Sequence, residues 1–183
     1  GSWQSKLDVQ LTEATSRFQM FLASSGERSS QPDFNCLKLS LQTLSSWPVL
    51  KSKAKNSAVV SKFMSASCKD AIARSGAADN HSATRLACVE GFCKFWQLIE
   101  ESKFPRWRLS DEQKHQFSVA REQALLCYHA LSHNARVQGQ FRYKIRPKHN
   151  MLDKMLRRCI RTGISPSLMY AFAPDDMLGI VAR

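Results

Sequence analysis

Chain-breaking residues are rare in this sequence, and their scarcity limits the folds open to it more than any other feature. Only seven glycines and six prolines occur among 183 residues, whereas the two together make up about 12% of an average protein. A fold of many short strands needs frequent turns, and turns depend on these residues. Long helices need few turns. The scarcity therefore favours an all-α fold.

Apolar side chains recur at intervals of three and four residues, which is the period of an amphipathic helix. Six segments show this period, at about 3–24, 32–47, 57–74, 80–103, 110–134 and 147–161. Shorter helical turns are expected from Ser165 and from Pro174, and no internal repeat is present. The sequence predicts an irregular bundle of about six longer helices plus one or two short C-terminal helices.

Several helix ends carry recognisable signals. Asn80 or Ser82 is expected to cap the fourth helix, and Ser110 with Gln113 has the spacing of a capping box before the fifth. Pro147 suits the first turn of the sixth helix, and Gly163 suits its C-terminal stop. Between the last two helices, 141–145 alternates apolar and basic residues and is expected to be extended.

The length suits one domain, which would bury about 70% of its unfolded surface. Residues 1–2, Gly-Ser, are typical of a cloning remnant, so we expect a single helical domain over 3–183 that was excised from a larger protein. No apolar run approaches the ~18 residues of a membrane span, and no secretory signal is visible. We therefore expect no membrane association and an intracellular location, nuclear or cytoplasmic.

Six cysteines lie in mostly apolar, helix-like surroundings: Cys36, Cys68, Cys88, Cys93, Cys127 and Cys159. An even number permits three disulfides, but a core of this size does not need them and no secretory signal supports them. Reduced cysteines acting as small hydrophobic residues are the favoured interpretation.

Positive charge is concentrated near the C-terminus of a chain whose net charge is +12. Eight basic residues and one acid, Asp153, lie between positions 142 and 161; the bases are Arg142, Lys144, Arg146, Lys148, Lys154, Arg157, Arg158 and Arg161. The last four share one helix face by their i,i+3 and i,i+4 spacing. Four like charges this close repel one another, which indicates a polyanionic ligand, RNA or DNA above all. A basic face that is simply solvated is the alternative.

Aromatic residues lie among these bases and suggest contacts to unpaired bases. Phe141, Tyr143 and His149 are the candidates, because aromatic rings stack on the bases of single-stranded nucleic acid. We therefore include His149 with the eight cations as the predicted binding residues. A second basic run, Lys51, Lys53, Lys55, Lys62 and Lys69, is expected to be solvated.

Metal chemistry has little support in the sequence. His129 and His133 stand four residues apart and can share a helix face, as two metal ligands do. Cys88 and Cys93 do not complete a site, because five residues place them about 140° apart around a helix. We expect buried or hydrogen-bonded histidines, no bound metal and no cofactor.

Asp175 and Asp176, which follow Pro174, are the one paired carboxylate of interest. Paired acids hold Mg²⁺ in phosphoryl-transfer sites when other carboxylates converge on them, but capping of a helix explains the pair as well. No nucleophile elbow, phosphate-binding glycine loop or zinc-protease motif is present. As an isolated fragment the chain is not expected to be an enzyme.

The C-terminal quarter resembles a transposase family. The stretch 143–149, Tyr-Lys-Ile-Arg-Pro-Lys-His, is followed by Leu152, then Ser165-Pro166, then Phe-Ala-Pro-Asp-Asp-Met-Leu-Gly at 172–179. This order is similar to the "rPKhH" helix and the Phe-x-x-acid-acid segment of the Kyakuja–Dileera–Zisupton transposases. The resemblance implies an RNase-H-like nuclease in which Asp175 or Asp176 is the last metal-binding carboxylate and the preceding helices form an insertion. Asn150 stands where the family has a second His, and Asp stands where it usually has Glu.

Three functions follow as hypotheses. The first is a non-catalytic helical module of a larger, mobile-element-like protein that binds nucleic-acid backbone through the basic face. The second is a protein-interaction scaffold that docks an acidic partner on the same face. The third is a fragment of a metal-dependent nuclease.

Overall fold

The structure is a computed structural model and describes residues 3–30, 33–35, 39, 54–77, 79–102, 107–140 and 142–168. Five long helices account for most of them: α1 Trp3–Ser25, α2 Ala54–Ser75, α3 Asn80–Glu101, α4 Asp111–Val137 and α5 Pro147–Thr162. A helical turn at 166–168 follows α5, and the described residues contain no strand. The all-α prediction is confirmed. The helix predicted over 32–47 falls largely outside the described residues, and the one from Pro174 falls wholly outside them.

The helix ends follow the sequence signals with one exception. Ser110 Oγ accepts a hydrogen bond from Gln113 N at 3.1 Å, and Gln113 Oε1 accepts one from Ser110 N at 3.0 Å, so the capping box before α4 is confirmed. Gly163 ends α5 with φ +69°. The predicted N-cap of α3, which is the fourth helix expected from the sequence, was Asn80 or Ser82, and this prediction was wrong. The N-cap is Asp79, whose carboxylate accepts a hydrogen bond from Ser82 N at 2.6 Å. Aspartate caps as well as asparagine and adds a charge that the positive helix end favours.

Two apolar clusters hold the helices together. The larger joins α3, α4 and α5, and its buried members are Phe95, Leu98, Ile99, Leu109, Phe117, Ala120, Leu152, Leu156 and Cys159. The smaller joins α1 and α2 with the segment at 34, where Phe18 packs against Phe34 and Phe63 with ring centroids 5.2 Å apart in both pairs. Because α2 also packs on α3, the described helices form a continuous series from α2 to α5.

Helices α3 and α4 approach each other closely at Gly91 of α3. A Cβ atom added there would lie 2.6 Å from the backbone N of Ala124 in α4. About one turn N-terminal to Gly91, Cys88 Sγ donates to Ala124 O and Gln123 Nε2 donates to Ala87 O at 2.9 Å. The absence of a side chain at position 91 therefore fixes how closely α3 and α4 pack.

Two methionines that the periodicity predicts to face the core are exposed instead. Met64 of α2 and Met151 of α5 are 44% and 38% accessible. Met151 lies at the border of the apolar stripe of α5, about 100° around the helix from Leu152. The buried face of α5 is the narrower one formed by Leu152, Leu156 and Cys159.

All five described cysteines are free thiols, as predicted, and Cys36 lies outside the described residues. Burial raises the pKa of Cys88 to about 12 and the pKa values of Cys93 and Cys159 to about 11. These thiols are therefore protonated and unreactive at neutral pH. Among the described helices, none combines the length and the apolar character that a membrane crossing requires.

Candidate nucleic-acid interface

Helix α5 presents its basic residues to solvent on the face opposite its core contacts. Its inner face is buried against α3 and α4, while Lys154, Arg158 and Arg161 are exposed. With Arg157 they occupy about 100° of the helix circumference and about 10 Å of its length. The grouping predicted from spacing is therefore present in the structure.

The acid on this helix is already neutralised from two sides. Asp153 Oδ2 accepts from Arg157 Nε at 2.8 Å, and its Oδ1 accepts from Arg121 Nη1 at 3.0 Å. Arg121 lies in α4, is 8% accessible, and also donates to Glu122 at 3.0 Å. Asp153 thus forms ion pairs with Arg157 of its own helix and with the buried Arg121 of α4. The other three cations of the face, Lys154, Arg158 and Arg161, have no ion pair to any described acid.

The segment that leads into α5 extends the positive surface. Arg142 and Lys144 are exposed and Arg146 is half-buried. The hydroxyl of Tyr128 donates to Lys144 O at 3.2 Å, which holds this segment against α4. Lys148 belongs to the first turn of α5, and its side chain lies outside the description.

His149, a predicted binding residue, has a structural contact of its own. Its Nδ1 accepts a hydrogen bond from Arg146 N at 2.9 Å, and its ring centroid lies 4.5 Å from that of Tyr128. Burial lowers the pKa of His149 and raises the pKa of Tyr128 to about 12. Both rings are therefore neutral parts of the packing around the N-terminus of α5.

Tyr143 is also engaged within the fold. Its backbone adopts φ +54°, and its ring lies edge-on to Tyr128 and His81, with centroids 6.1 Å apart in each pair. Tyr143 and His149 thus both have ring contacts within the fold, and Phe141 lies outside the described residues.

An exposed tryptophan that sequence reasoning missed lies beside the C-terminus of α5. Trp107 is 42% accessible, and the guanidinium of Arg108 lies 5.4 Å from its ring centroid. Ser165 N donates to Trp107 O and Leu109 N donates to Gly163 O, both at 2.8 Å, so this segment runs antiparallel to the residues after α5. The pairing joins positions more than fifty residues apart, and no local pattern predicts it.

In the second basic run, Lys62 and Lys69 are exposed, as the expectation of a solvated run requires, but each is also paired with an acid. Lys62 pairs with Glu27, and Lys69 Nζ lies 2.8 Å from Glu90 Oε1, a hydrogen bond that raises the pKa of Lys69. Lys51 and Lys53 lie outside the described residues. Acids from neighbouring segments therefore balance the described part of this run.

The candidate metal ligands do not assemble. His129 and His133 are both exposed, which contradicts the buried alternative of the expectation, because their side of α4 faces away from α3 and α5. No group of three or more His, Cys, Asp or Glu residues in the described part of the chain is arranged to hold a metal. Asp175 and Asp176 lie beyond residue 168, outside the description.

Comparison of the chain with protein-family models gives no match, and comparisons with curated proteins and with solved structures give none either.

Proposed function

We propose that this chain binds the phosphate backbone of nucleic acid through α5, as a non-catalytic helical module of a larger, mobile-element-like protein. The observation that carries the proposal is the exposure of Lys154, Arg158 and Arg161 on one side of a single helix, with no described acid paired to them. Neighbouring phosphates would relieve the repulsion between these cations and release counterions, which gives salt-dependent affinity.

The expected recognition is largely indifferent to sequence. Lysine and arginine contacts to phosphate position a protein on nucleic acid but do not read its bases. Trp107 adds a stacking surface next to the end of α5, and an indole stacks on any unpaired base. Single-stranded nucleic acid would therefore gain a contact that a duplex lacks.

The decisive test reverses the three unpaired cations. Arg157 is left in place because a Glu there would face Asp153 and disturb the fold as well as the surface. Binding of fluorescent single-stranded and duplex oligonucleotides is measured by anisotropy over a range of salt concentrations. The Lys154→Glu, Arg158→Glu, Arg161→Glu variant should lose at least about tenfold in affinity, and the slope of log affinity against log salt should fall by about three.

The matched control changes the net charge by the same amount, but at positions outside α5. Lys6→Glu, Arg28→Glu, Arg74→Glu reverses three exposed cations on α1, the following loop and α2. Its affinity should stay within a few-fold of the wild type. Equal losses in both variants would show attraction by net charge alone and would refute the assignment to α5. Binding of an acidic peptide in place of nucleic acid would favour the scaffold alternative.

Trp107 is tested in the same assay. Replacement of one stacked aromatic ring costs about 1–3 kcal/mol per base, so Trp107→Ala should weaken single-strand binding about tenfold and leave duplex binding nearly unchanged. Trp107→Phe keeps a ring and should retain most of the affinity. If Trp107→Ala changes single-strand and duplex affinity equally, Trp107 does not stack on an unpaired base.

A further inference from the structure

An apolar stripe runs along the solvent side of α4, away from every described neighbour. Val119, Leu126 and Val137 are 48%, 66% and 73% accessible, and Ala130 between them is also exposed. Their spacings of seven, four and seven residues place them within about 20° of one line along the helix. The buried residues of α4, such as Phe117, Ala124 and Leu131, lie on the opposite side. Monomeric proteins seldom leave such an aligned stripe uncovered.

The stripe has the pattern of a coiled-coil seam. Val119 and Leu126 occupy d positions of a heptad, and Ala130 and Val137 occupy a positions. The remaining positions of the same heptads are polar: His133 is at d, and Gln123, whose amide donates to Ala87 O of α3, is at a. In an antiparallel pair, a positions of one helix meet d positions of the other. This stripe is symmetric about residue 128, because Val119 and Val137 are equally distant from it, as are Leu126 and Ala130. Under one two-fold axis, Val119 meets Val137 and Leu126 meets Ala130 of a second copy.

The charges of α4 fit the same two-fold arrangement. Glu122 is an exposed acid in the N-terminal half of α4, and Arg136 is an exposed cation near its C-terminus. Antiparallel pairing places Glu122 beside His133 and Arg136 of the second helix. Parallel pairing would place like charges side by side and align the helix dipoles unfavourably.

We propose that the α4 stripe is a self-association surface, occupied by α4 of a second copy of this chain in antiparallel orientation about residue 128. A two-fold interface must be complementary to itself, and the apolar spacing and the charge distribution of α4 both meet this condition. This proposal is independent of nucleic-acid binding, since the basic residues of α5 take no part in it.

The first measurement is sedimentation velocity of the whole chain at micromolar concentrations. The wild type should form a dimer. Leu126→Glu should raise the dimer dissociation constant at least about tenfold, because it places a charge at the middle of the seam. Met20→Glu is the matched control, since Met20 is 68% accessible on α1, away from the stripe, and should not change association. Circular dichroism establishes that each variant is folded.

The orientation is tested by a charge pair across the two-fold axis. Val119→Glu and Val137→Lys should each weaken the dimer, and the double variant should restore it, because the new carboxylate of each copy then meets the new ammonium group of the other. Within one chain these positions are about 27 Å apart, so the restoration cannot arise inside a monomer. A wild type that is monomeric, or a dimer insensitive to Leu126→Glu, would overturn the surface. A double variant weaker than both single variants would overturn the antiparallel register.

Discussion

His149 closes the N-terminus of α5 by accepting a hydrogen bond from Arg146 N. A backbone N–H can only donate, so Nδ1 has to be unprotonated and the ring neutral. Burial, with a smaller contribution from the nearby His129, lowers the pKa of His149, which is consistent with that state. The residue that the sequence suggests as a ligand contact is thus a helix cap whose charge state affects stability.

This role predicts a pH dependence of stability. A pKa that is lower in the folded state means that the stabilisation is complete above the unfolded pKa of about 6.5 and is lost as pH falls through the folded value. Between pH 7 and 5 the wild type should lose about 1 kcal/mol, the usual value of one hydrogen bond. His149→Gln keeps an acceptor in the capping position but does not titrate. In thermal melts, the fall of Tm with acid should be smaller in this variant, and equal falls would contradict the role.

At the scale of elements, α4 joins α3 to α5 in the described fold. One side packs against α3 and α5, and its Ser110 capping box fixes where it begins. The other side carries the stripe proposed as the dimer surface. Helix propensity and periodicity predict that α4 forms, but its distance from α3 is set by the missing side chain of Gly91.

Replacement of Gly91 by alanine tests that contact, because helix propensity and packing predict changes in Tm of opposite sign. Alanine is favoured over glycine by about 1 kcal/mol inside a helix, so propensity alone predicts a higher Tm. The new Cβ, however, would meet the backbone of Ala124, which no rotamer change can move away. Gly91→Ala should therefore destabilise the protein by about 1–3 kcal/mol.

Calorimetry should show a lower Tm for this variant. Ser16→Ala, at an exposed position of α1, is the control and should raise Tm slightly, because it gains propensity without a new contact. A higher Tm for Gly91→Ala would mean that α3 and α4 can move apart at little cost.

Across the molecule as a whole, the net charge is +12, and only some of the described cations have an acidic partner. Lys62 and Lys69 have acidic partners from other segments, whereas Lys154, Arg158 and Arg161 lie close together on α5 without an ion pair to a described acid. Self-repulsion of this kind destabilises a compact state and is screened by salt.

Stability and binding should therefore respond to salt in opposite directions. Between about 20 and 300 mM NaCl, the Tm of the wild type should rise by a few degrees as repulsion is screened, while nucleic-acid affinity falls. The variant with Lys154, Arg158 and Arg161 reversed to Glu should show a smaller rise in Tm. A Tm that rises equally in both proteins would mean that the α5 cations are not the source of the repulsion.

Local patterns in the sequence were sufficient to predict the helical class, the positions of the described helices, the capping box at Ser110, the stop at Gly163 and the amphipathic division of α5. These features depend on contacts between residues three or four positions apart, which periodicity records directly. Other features became visible once the helices were assembled: Asp153 is shared with the buried Arg121, Trp107 lies beside the end of α5, and one side of α4 has no described partner. Each of these depends on which distant segments meet, and that is settled by packing of the assembled helices rather than by any local pattern.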